Sequence, residues 1–240
     1  MLHPKHLIVS FTDKLGNALL SPPRSGFGRF INHGPRNQRR VALTFDDGPN
    51  TPSTELLLDA MAELNVRGTF FCVGVNTALN PNIVARAHAE GHVIGNHSMG
   101  HRRHSALQLF DATHIDQCAG EISQVIGQRP LLYRPPWGWL TPWEGSRLAQ
   151  RGYSIIGWDV YTQDWRLPEP DGRWMAEDAQ RKAQAGSIFL FHDGCPNVQH
   201  WKKNETIRAV KHLVHAMRAE GYEFVTIDKL LNIPAYAPLS

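Results

Sequence analysis

From residue 41 onwards, short apolar runs alternate with helix-like patterns about seven times, and this repetition restricts the fold more than any other feature. Apolar residues spaced by three and four positions, as in 54–64, predict helices with one buried face. Runs such as 41–46 and 187–191 are apolar almost throughout, as expected for strands covered on both sides. Strands that alternate with helices pair in parallel, so the sequence predicts an α/β fold.

Other segments give coarser predictions. We expect helices over 80–89, 105–126, 142–151 and 174–185, and a last helix that begins at a capping Asn204 and runs to residue 220. Strands are predicted at 68–73, 93–95, 131–133 and 153–158, and a final one at 222–226.

Five polar clusters lie at or beyond the carboxyl ends of predicted strands, and each follows a different strand. The carboxyl ends of parallel strands meet at one edge of a sheet, where the active sites of such folds lie. Scattered surface residues would not recur in this position. A closed, TIM-like barrel of about seven strands is favoured over an open sheet, because its single mouth would collect all the clusters. The clusters are Asp46-Asp47, His97 to His101, Arg134 to Gly138, Asp164-Trp165 and His192-Asp193.

Asp47, His97 and His101 form a candidate metal-binding set. The four-residue spacing of the histidines predicts that both lie on one face of a helical turn. A carboxylate with two imidazoles suits a catalytic zinc ion with an open fourth position, although the affinity order alone also allows cobalt or nickel. Taken singly, the histidines would be read as surface residues, and Asp47 as a carboxylate that binds the backbone of the Gly-Pro turn. Because the other polar clusters follow strand ends as well, a site for one divalent metal ion is favoured over these structural interpretations.

Composition excludes several classes of protein. At 240 residues, with 42% hydrophobic residues, the chain can bury the core of one barrel domain. A net charge of +3 and one short basic cluster (Arg36, Arg39, Arg40) give no indication of nucleic-acid binding. Three cysteines are too few for a disulfide framework, and no stretch approaches the length of a membrane span. Nothing indicates a protein partner. No signal peptide is visible, so we expect a cytoplasmic protein, or a secreted one if its signal has been trimmed.

The five clusters, in this order, resemble the motifs of the polysaccharide deacetylases, also called NodB-homology or carbohydrate esterase family 4 enzymes. The resemblance implies a distorted (β/α) barrel and metal-dependent removal of N- or O-acetyl groups from sugars. It covers residues 41 to about 230, so we expect a deacetylase domain over 41–240 and an extension over 1–40 that packs on the barrel. The motifs are Thr44-Phe45-Asp46-Asp47-Gly48-Pro49, His97-Ser98-x-x-His101, Arg134-x-Pro136-Trp137-Gly138, Asp164-Trp165 and Ile188-x-Leu190-x-His192-Asp193. One position departs from the pattern: Tyr161 stands where the family usually has an Asp, three residues before Asp164.

The same resemblance implies a division of labour around the metal. Asp46 would take the proton from the attacking water as general base, and Arg134 would hold it oriented and ionised. His192 would protonate the leaving amine, with Asp164 raising its pKa. The backbone N–H of Trp137 would stabilise the oxyanion, and this Trp is expected beside the substrate. Trp165 and Leu190 would line a small apolar pocket for the acetyl methyl group.

We therefore expect a metal-dependent hydrolase that acts on an acetylated amino-sugar oligosaccharide or polysaccharide. A metal-dependent phosphoesterase is the alternative enzyme, but such sites commonly hold two metals and the sequence offers one good ligand set. A non-catalytic carbohydrate-binding homologue would not need Asp46, Arg134 and His192 together. Chitooligosaccharides, peptidoglycan precursors, other N-acetylated glycans and O-acetylated sugars all stay open as substrates. A cytoplasmic enzyme would act on short oligosaccharides or biosynthetic intermediates.

Overall fold

The computed structural model describes residues 30–102, 113–140, 142–196, 198, 200 and 202–238. Most of the predicted N-terminal extension, the first part of the helix predicted at 105–126, and Trp201 lie outside these residues. The strands are β1 (Phe30–Ile31), β2 (Arg40–Asp46), β3 (Thr69–Cys72), β4 (Val93–Asn96), β5 (Gln128–Pro130), β6 (Leu132–Tyr133), β7 (Ser154–Ile156), β8 (Val160–Tyr161), β9 (Ile188–His192), β10 (Glu223–Phe224) and β11 (Tyr236–Pro238).

Helices connect most of these strands. They are α1 (Ser53–Glu63), α2 (Gly74–Leu79), α3 (Pro81–Ala89), α4 (Thr113–Ile126), α5 (Pro142–Gln150), α6 (Gly172–Lys182), α7 (Asn204–Ala219) and α8 (Ile227–Leu231), with a 3₁₀ turn at Pro136–Gly138. None of the helices in the described ranges is long and apolar enough to cross a membrane.

Eight strands form one curled parallel sheet in the order β1-β7-β6-β4-β3-β2-β9-β8, and β10 pairs in parallel with the start of β2. This sheet with its helices confirms the distorted (β/α) barrel. The ladder is not closed, however: within the described strands, β1 and β8 end the series and do not pair with each other. The chain after β1 partly fills the gap, because His33 bridges to Ser187 and the Gly34 N–H donates to the Gly186 carbonyl at 2.7 Å.

The alternation of β2 decides which of its residues face the site. Val41, Leu43 and Phe45 point outwards into the main apolar cluster beneath the helices, where Phe45 packs on Phe70 with ring centroids 4.9 Å apart. Burial of a side chain of this size stabilises the fold by roughly 1.5–3 kcal/mol. The intervening residues point into the barrel, because successive strand side chains alternate between faces. Thr44 and Asp46 are therefore polar groups inside the barrel, and both are buried.

Several predicted elements have different bounds. The strand predicted at 153–158 is shortened to β7, β8 follows in a segment where no strand was predicted, and the last predicted strand shrinks to β10. Short helices α2 and α8 and the antiparallel pair β5–β11 were not predicted, since segments of three to six residues carry too little periodicity. The predicted cap at Asn204 is wrong: Asn204 is the first helical residue, and Lys203 precedes it without a side-chain cap.

The basic cluster serves the barrel itself. Arg36 donates to the Ala185 carbonyl at 2.7 Å and pairs with Asp159 at 2.8 Å. Arg39 donates to the Glu220 carbonyl at 2.5 Å, just beyond the end of α7. Cations near the carboxyl end of a helix satisfy carbonyl groups that have no partner within the helix. These arginines thus fasten the start of β2 to later parts of the chain.

Candidate active site

β2 delivers two carboxylates to the mouth of the barrel. Asp46 is its last residue and faces the interior, where it is register partner of His192 at the end of β9. Asp47 follows with a φ of 77°, in the left-handed region. This turn of the backbone directs the two neighbouring carboxylates towards different partners.

Asp47, His97 and His101 converge as the sequence predicts. Asp47 Oδ1 lies 3.5 Å from His97 Nε2 and 3.2 Å from His101 Nε2, and one potential ligand atom from each residue lies within 4.8 Å of the others. His97 Nδ1 donates to the Arg134 carbonyl at 2.7 Å, since a carbonyl can only accept. Its Nε2 therefore carries the free lone pair, which is the atom that faces Asp47.

These residues fit a divalent cation. Asp47 Oδ1 is buried and forms no hydrogen bond within the described part of the protein, which is costly unless a cation or water completes it. Ligands bound to zinc at about 2.0–2.2 Å in a tetrahedron are separated by about 3.3–3.6 Å, close to the two distances from Asp47. Mixed nitrogen and oxygen donors of this kind suit zinc, and they do not exclude cobalt or nickel.

The electrostatics of the three candidate ligands are consistent with that fit. Burial alone would raise the pKa of Asp47, but His101 and His97 outweigh it and hold the carboxyl well below its usual range. Burial lowers the pKa of His101 to about 4, so its imidazole is neutral. The pKa of His97 is raised because Asp46 and Asp47 outweigh burial. A metal ion competes with a proton for such a nitrogen.

The route by which the histidines meet differs from the prediction. Residues 97–102 are not helical, and Ser98 and His101 have positive φ values of 67° and 48°. The loop is fixed by the Asn96 side chain, which accepts from the Ser98 N–H at 2.8 Å and donates to the Ile115 carbonyl at 2.8 Å. The imidazoles end with ring centroids 4.9 Å apart. Spacing alone could not distinguish this loop from a helical turn.

Arg134 crosses the interior of the barrel to reach Asp46. The guanidinium is fully buried and donates through Nη1 to Asp46 Oδ1 at 2.8 Å and to Thr44 Oγ1 at 2.7 Å. Its Nη2 donates to the Gly157 carbonyl at 2.8 Å, and its charge lies 4.2 Å from the centre of the Phe71 ring. Burial lowers the pKa of Arg134, although Asp46 opposes this effect. Asp46 is thus held in one orientation.

His192 and Asp164 form a second buried pair. His192 donates to Asp164 twice, from Nδ1 to Oδ1 at 2.8 Å and from its backbone N–H to Oδ2 at 2.7 Å. Burial would lower the pKa of His192, but Asp164 outweighs it and raises the value to about 9. Lys203 donates to the Asp164 carbonyl at 2.5 Å, and Thr206 lies 3.0 Å from the carboxylate. Lys203 was not predicted, because a lone lysine carries no sequence signal.

The residues predicted to contact substrate differ in exposure. The Trp137 ring is 42% exposed and lies 4.2 Å from the His101 ring, measured between centroids. Trp165 is half exposed and packs edge-to-face on His192 at 5.6 Å. Leu190 is buried in β9, two residues before His192. The Trp residues thus line the mouth beside the two histidines, and Leu190 lies deeper.

Two further residues support the loop that carries Asp47. Asp193, and not Asp47, accepts from the N–H of the Gly48-Pro49 turn at 3.1 Å, and it accepts from Thr54 Oγ1 at 2.6 Å. Burial raises the pKa of Asp193 to about 7. Asn76 donates to the Asp47 carbonyl at 2.8 Å. Asn76 lies in the unpredicted helix α2, so its proximity to the site could not be inferred from the sequence.

Backbone strain is concentrated around the same mouth. Positive φ angles at residues other than glycine occur at eight described positions, and six of them follow strand ends of the sheet. Such conformations cost free energy and persist where the surrounding structure enforces them, which is common at functional sites. The six are Asp47, Ser98, His101, Trp137, Gln163 and His200.

Comparison with known proteins agrees with this geometry. Residues 33–154 match the family model described as polysaccharide deacetylase. A chitooligosaccharide deacetylase from Sinorhizobium fredii is 31% identical over 216 residues, covering 85% of this chain and 93% of that protein. The chain belongs to the polysaccharide deacetylase family. The resemblance seen in the five motifs is thereby confirmed.

Other members of the family are similar over most of their length. A peptidoglycan-N-acetylglucosamine deacetylase from Bacillus cereus is 29% identical over 202 residues, covering 82% of this chain and 91% of that protein. The crystal structure of the Bc1960 peptidoglycan N-acetylglucosamine deacetylase superposes with a TM-score of 0.79 at 28% identity, covering 88% of this chain and 96% of that one. The polysaccharide deacetylase fold therefore extends over almost the whole described chain.

Proposed function

We propose that this protein is a metal-dependent hydrolase that removes acetyl groups, N-acetyl groups in particular, from an amino-sugar oligosaccharide or polysaccharide. One observation carries the proposal. Asp46 and His192 are register partners beside the cluster of Asp47, His97 and His101. Asp46 forms an ion pair with Arg134, and His192 forms one with Asp164. A base and an acid on either side of one cation site are what hydrolysis of an amide requires.

The first step needs an activated water and a base. Asp47, His97 and His101 would hold a divalent ion, which would supply a lower pKa for a water molecule and polarisation of an acetyl carbonyl. Asp46 accepts the proton as the water attacks. Its second oxygen, Oδ2, is directed towards the cluster, 3.7 Å from His97 Nε2, while Oδ1 is held by Arg134. Arg134 thereby leaves one oxygen of Asp46 for the proton.

The second step needs a proton on the leaving nitrogen. Because Asp164 holds the Nδ1 proton of His192, Nε2 is the atom left to donate. A pKa near 9 keeps this imidazole charged at neutral pH. As the C–N bond breaks, the nitrogen takes its proton from His192 and departs as an amine. The amine is a poor leaving group without that proton, so the acid is required.

The surrounding residues support binding of a sugar. Trp137 and Trp165 present exposed rings at the mouth, and aromatic faces offer apolar area at low cost in entropy. Trp165 and Leu190 are proposed to enclose the acetyl methyl group. The backbone N–H of Trp137 is proposed to donate to the oxyanion; the left-handed φ of 55° at Trp137 is consistent with a loop shaped for this role.

The names of two relatives support an N-acetylated amino sugar as the substrate. One is named for peptidoglycan N-acetylglucosamine and another for chitooligosaccharides. Both names describe N-acetylated amino sugars, so N-acetyl hydrolysis is the common element of the proposal. Zinc is the proposed metal, because two imidazoles and one carboxylate are typical of its catalytic sites.

Acetate release from a panel of substrates tests the proposal. The panel contains N-acetylglucosamine oligomers of increasing length, peptidoglycan fragments, an O-acetylated sugar and a phosphate monoester. We expect acetate from the N-acetylated sugars, loss of the activity with chelator and its return with zinc. Phosphate release would instead support the phosphoesterase, and binding of the sugars without turnover would support a non-catalytic homologue.

A further inference from the structure

Tyr161 ends β8 at the position where the family usually has an aspartate. Its ring lies 5.8 Å from that of Trp165, with the planes inclined by 36°. Trp165 in turn lies 5.6 Å from the imidazole of His192, with the planes at 70°. Tyr161 is therefore connected to His192, the proposed acid, through the ring of Trp165. Asp164 holds the same histidine from its Nδ1 side.

A cation that is paired with a carboxylate lies against Tyr161 as well. Lys182 Nζ lies 5.3 Å from the centre of the Tyr161 ring, within the range of a cation–π interaction. Asp178, one helical turn earlier, forms an ion pair with the same ammonium group. Both belong to α6, whose Met175 and Ala179 are completely buried in the core. The Tyr161 ring thus contacts both Trp165 and the ammonium group of Lys182 on α6.

The position of Trp165 in the structure leaves its side chain little restrained by the core. It lies on the loop that follows β8, and 48% of it is exposed. Gln163, two residues earlier, has a φ of 61°. A half-exposed indole on a loop has several rotamers open to it, and an aromatic neighbour restricts them. Tyr161 itself is 43% exposed, so burial in the core does not account for its ring.

We propose that Tyr161 is a positioning residue that holds Trp165 against His192 and so directs the acid at the leaving nitrogen. The inference rests on the proposed function. Asp164 fixes one atom of the imidazole, and the Trp165 ring fixes the plane about that atom. In the step concerned the C–N bond breaks, the nitrogen keeps the electron pair, and His192 Nε2 gives up its proton. Misalignment of Nε2 would slow this step alone.

Leaving-group dependence separates this role from a merely structural one. An aryl acetate such as 4-nitrophenyl acetate releases a stabilised anion that needs no proton from His192. We expect Tyr161→Ala to lower kcat on an N-acetylated oligosaccharide by roughly tenfold, part of the 10²–10⁴-fold that a positioned acid supplies. Any weakening of the proposed contact between Trp165 and the acetyl methyl group is shared by both substrates, so kcat on the aryl acetate should fall far less and the ratio between the two substrates should change by most of that factor. Equal losses on both substrates would overturn the proposal.

Two other substitutions sharpen the test. Tyr161→Phe keeps the ring and should restore kcat on the oligosaccharide. Tyr161→Asp installs the residue usual in the family and should behave like Tyr161→Ala; a gain in kcat would overturn the proposal. The matched control is Tyr222→Ala, which removes a ring beneath Arg39, 5.8 Å from its guanidinium, at the opposite end of the barrel. That variant should leave the ratio between the substrates unchanged.

A spectroscopic measurement distinguishes failure of this inference from failure of the proposed function. The indole N–H resonance of Trp165 is assigned by its disappearance in Trp165→Phe. It should shift in Tyr161→Ala and keep its position in Tyr161→Phe, whether or not the protein deacetylates any substrate. An unshifted resonance in Tyr161→Ala would overturn the contact itself. Absence of deacetylation in the unaltered protein would overturn the proposed function instead.

Discussion

Asp46 and His192 are register partners on neighbouring parallel strands, and their side chains share the inner face of the barrel. Adjacent strands are about 4.8 Å apart, so the two groups flank one small volume. The charged neighbours of the two residues favour different proposed roles, a base for Asp46 and an acid for His192. Arg134 holds Asp46 beside its positive charge, and Asp164 holds His192 beside its negative charge. A base and an acid separated in this way serve the two proton transfers of hydrolysis.

The first prediction concerns the base. Asp46→Asn keeps the size of the side chain and its contact with Arg134 but cannot accept a proton. We expect normal metal content and a loss of kcat of roughly 10²–10⁴-fold, the range for general acid–base catalysis. Elemental analysis and initial rates measure the two quantities separately.

Asp47→Asn is the matched comparison for that variant. Asp47 has two imidazoles within 3.5 Å of its Oδ1, so this variant should lose metal and activity together. If Asp46→Asn lost its metal and Asp47→Asn kept it, the two roles would be reversed.

The second prediction concerns the buried guanidinium. Arg134→Met should lower the free energy of unfolding by about 3–5 kcal/mol, because it leaves Asp46 buried without its partner. Arg134→Lys should recover part of the loss, since the ammonium keeps the charge but lacks the planar fork that reaches several acceptors. Urea unfolding measures both. Arg36→Met removes a partly exposed ion pair and should cost less than about 1 kcal/mol.

The sequence was informative wherever a residue's position follows from strand alternation and strand ends. Asp46, His97, Arg134 and His192 each come at or just after a strand, so their meeting at one mouth could be predicted. The apolar run of β2 correctly predicted that the strand is buried on both faces. The resemblance of the five motifs, in their order, to those of the polysaccharide deacetylases suggested the catalytic roles of these residues, which the residue types alone did not determine.

Local backbone conformation was beyond prediction. The spacing of the histidines fits a helical turn as well as the loop that is present. No sequence pattern predicts the positive φ angles at Ser98 and His101. Lys203, just before α7, and Asn76, in α2, reach the site from segments whose packing depends on the whole fold. Closure of the barrel was overestimated, because the residues alone do not reveal that β1 and β8 stay unpaired.

The third prediction concerns the metal. His97→Ala and His101→Ala should each lose metal and activity while the barrel stays folded, because the ligands lie in loops beyond the strand ends and not in the apolar core. Metal content by elemental analysis and the melting temperature measure the two effects.

His88→Ala is a suitable control for these variants. His88 lies on α3, outside the candidate cluster, so its loss should leave metal content unchanged. Full metal occupancy in His97→Ala or His101→Ala would remove that residue from the ligand set.

The last prediction concerns pH. As the proposed acid, His192 can donate its proton only while it is protonated, so activity should fall on the alkaline side as pH rises through its pKa of about 9. Asp164→Asn removes the main cause that raises this pKa and leaves burial, which lowers it. The alkaline limb of the kcat profile should therefore move to lower pH. Asp116→Asn, which neutralises an exposed carboxylate paired with Arg151, should not move it.

The same shift links folding to pH, with a sign that can be checked independently of turnover. A histidine whose pKa is higher in the folded than in the unfolded state stabilises the fold fully below its unfolded pKa of about 6.5. That stability is lost as pH rises towards 9, the folded value. Unfolding free energies measured between pH 6 and pH 10 should thus decline less steeply for Asp164→Asn. An alkaline limb and a stability curve both unchanged by the substitution would mean that Asp164 does not tune His192.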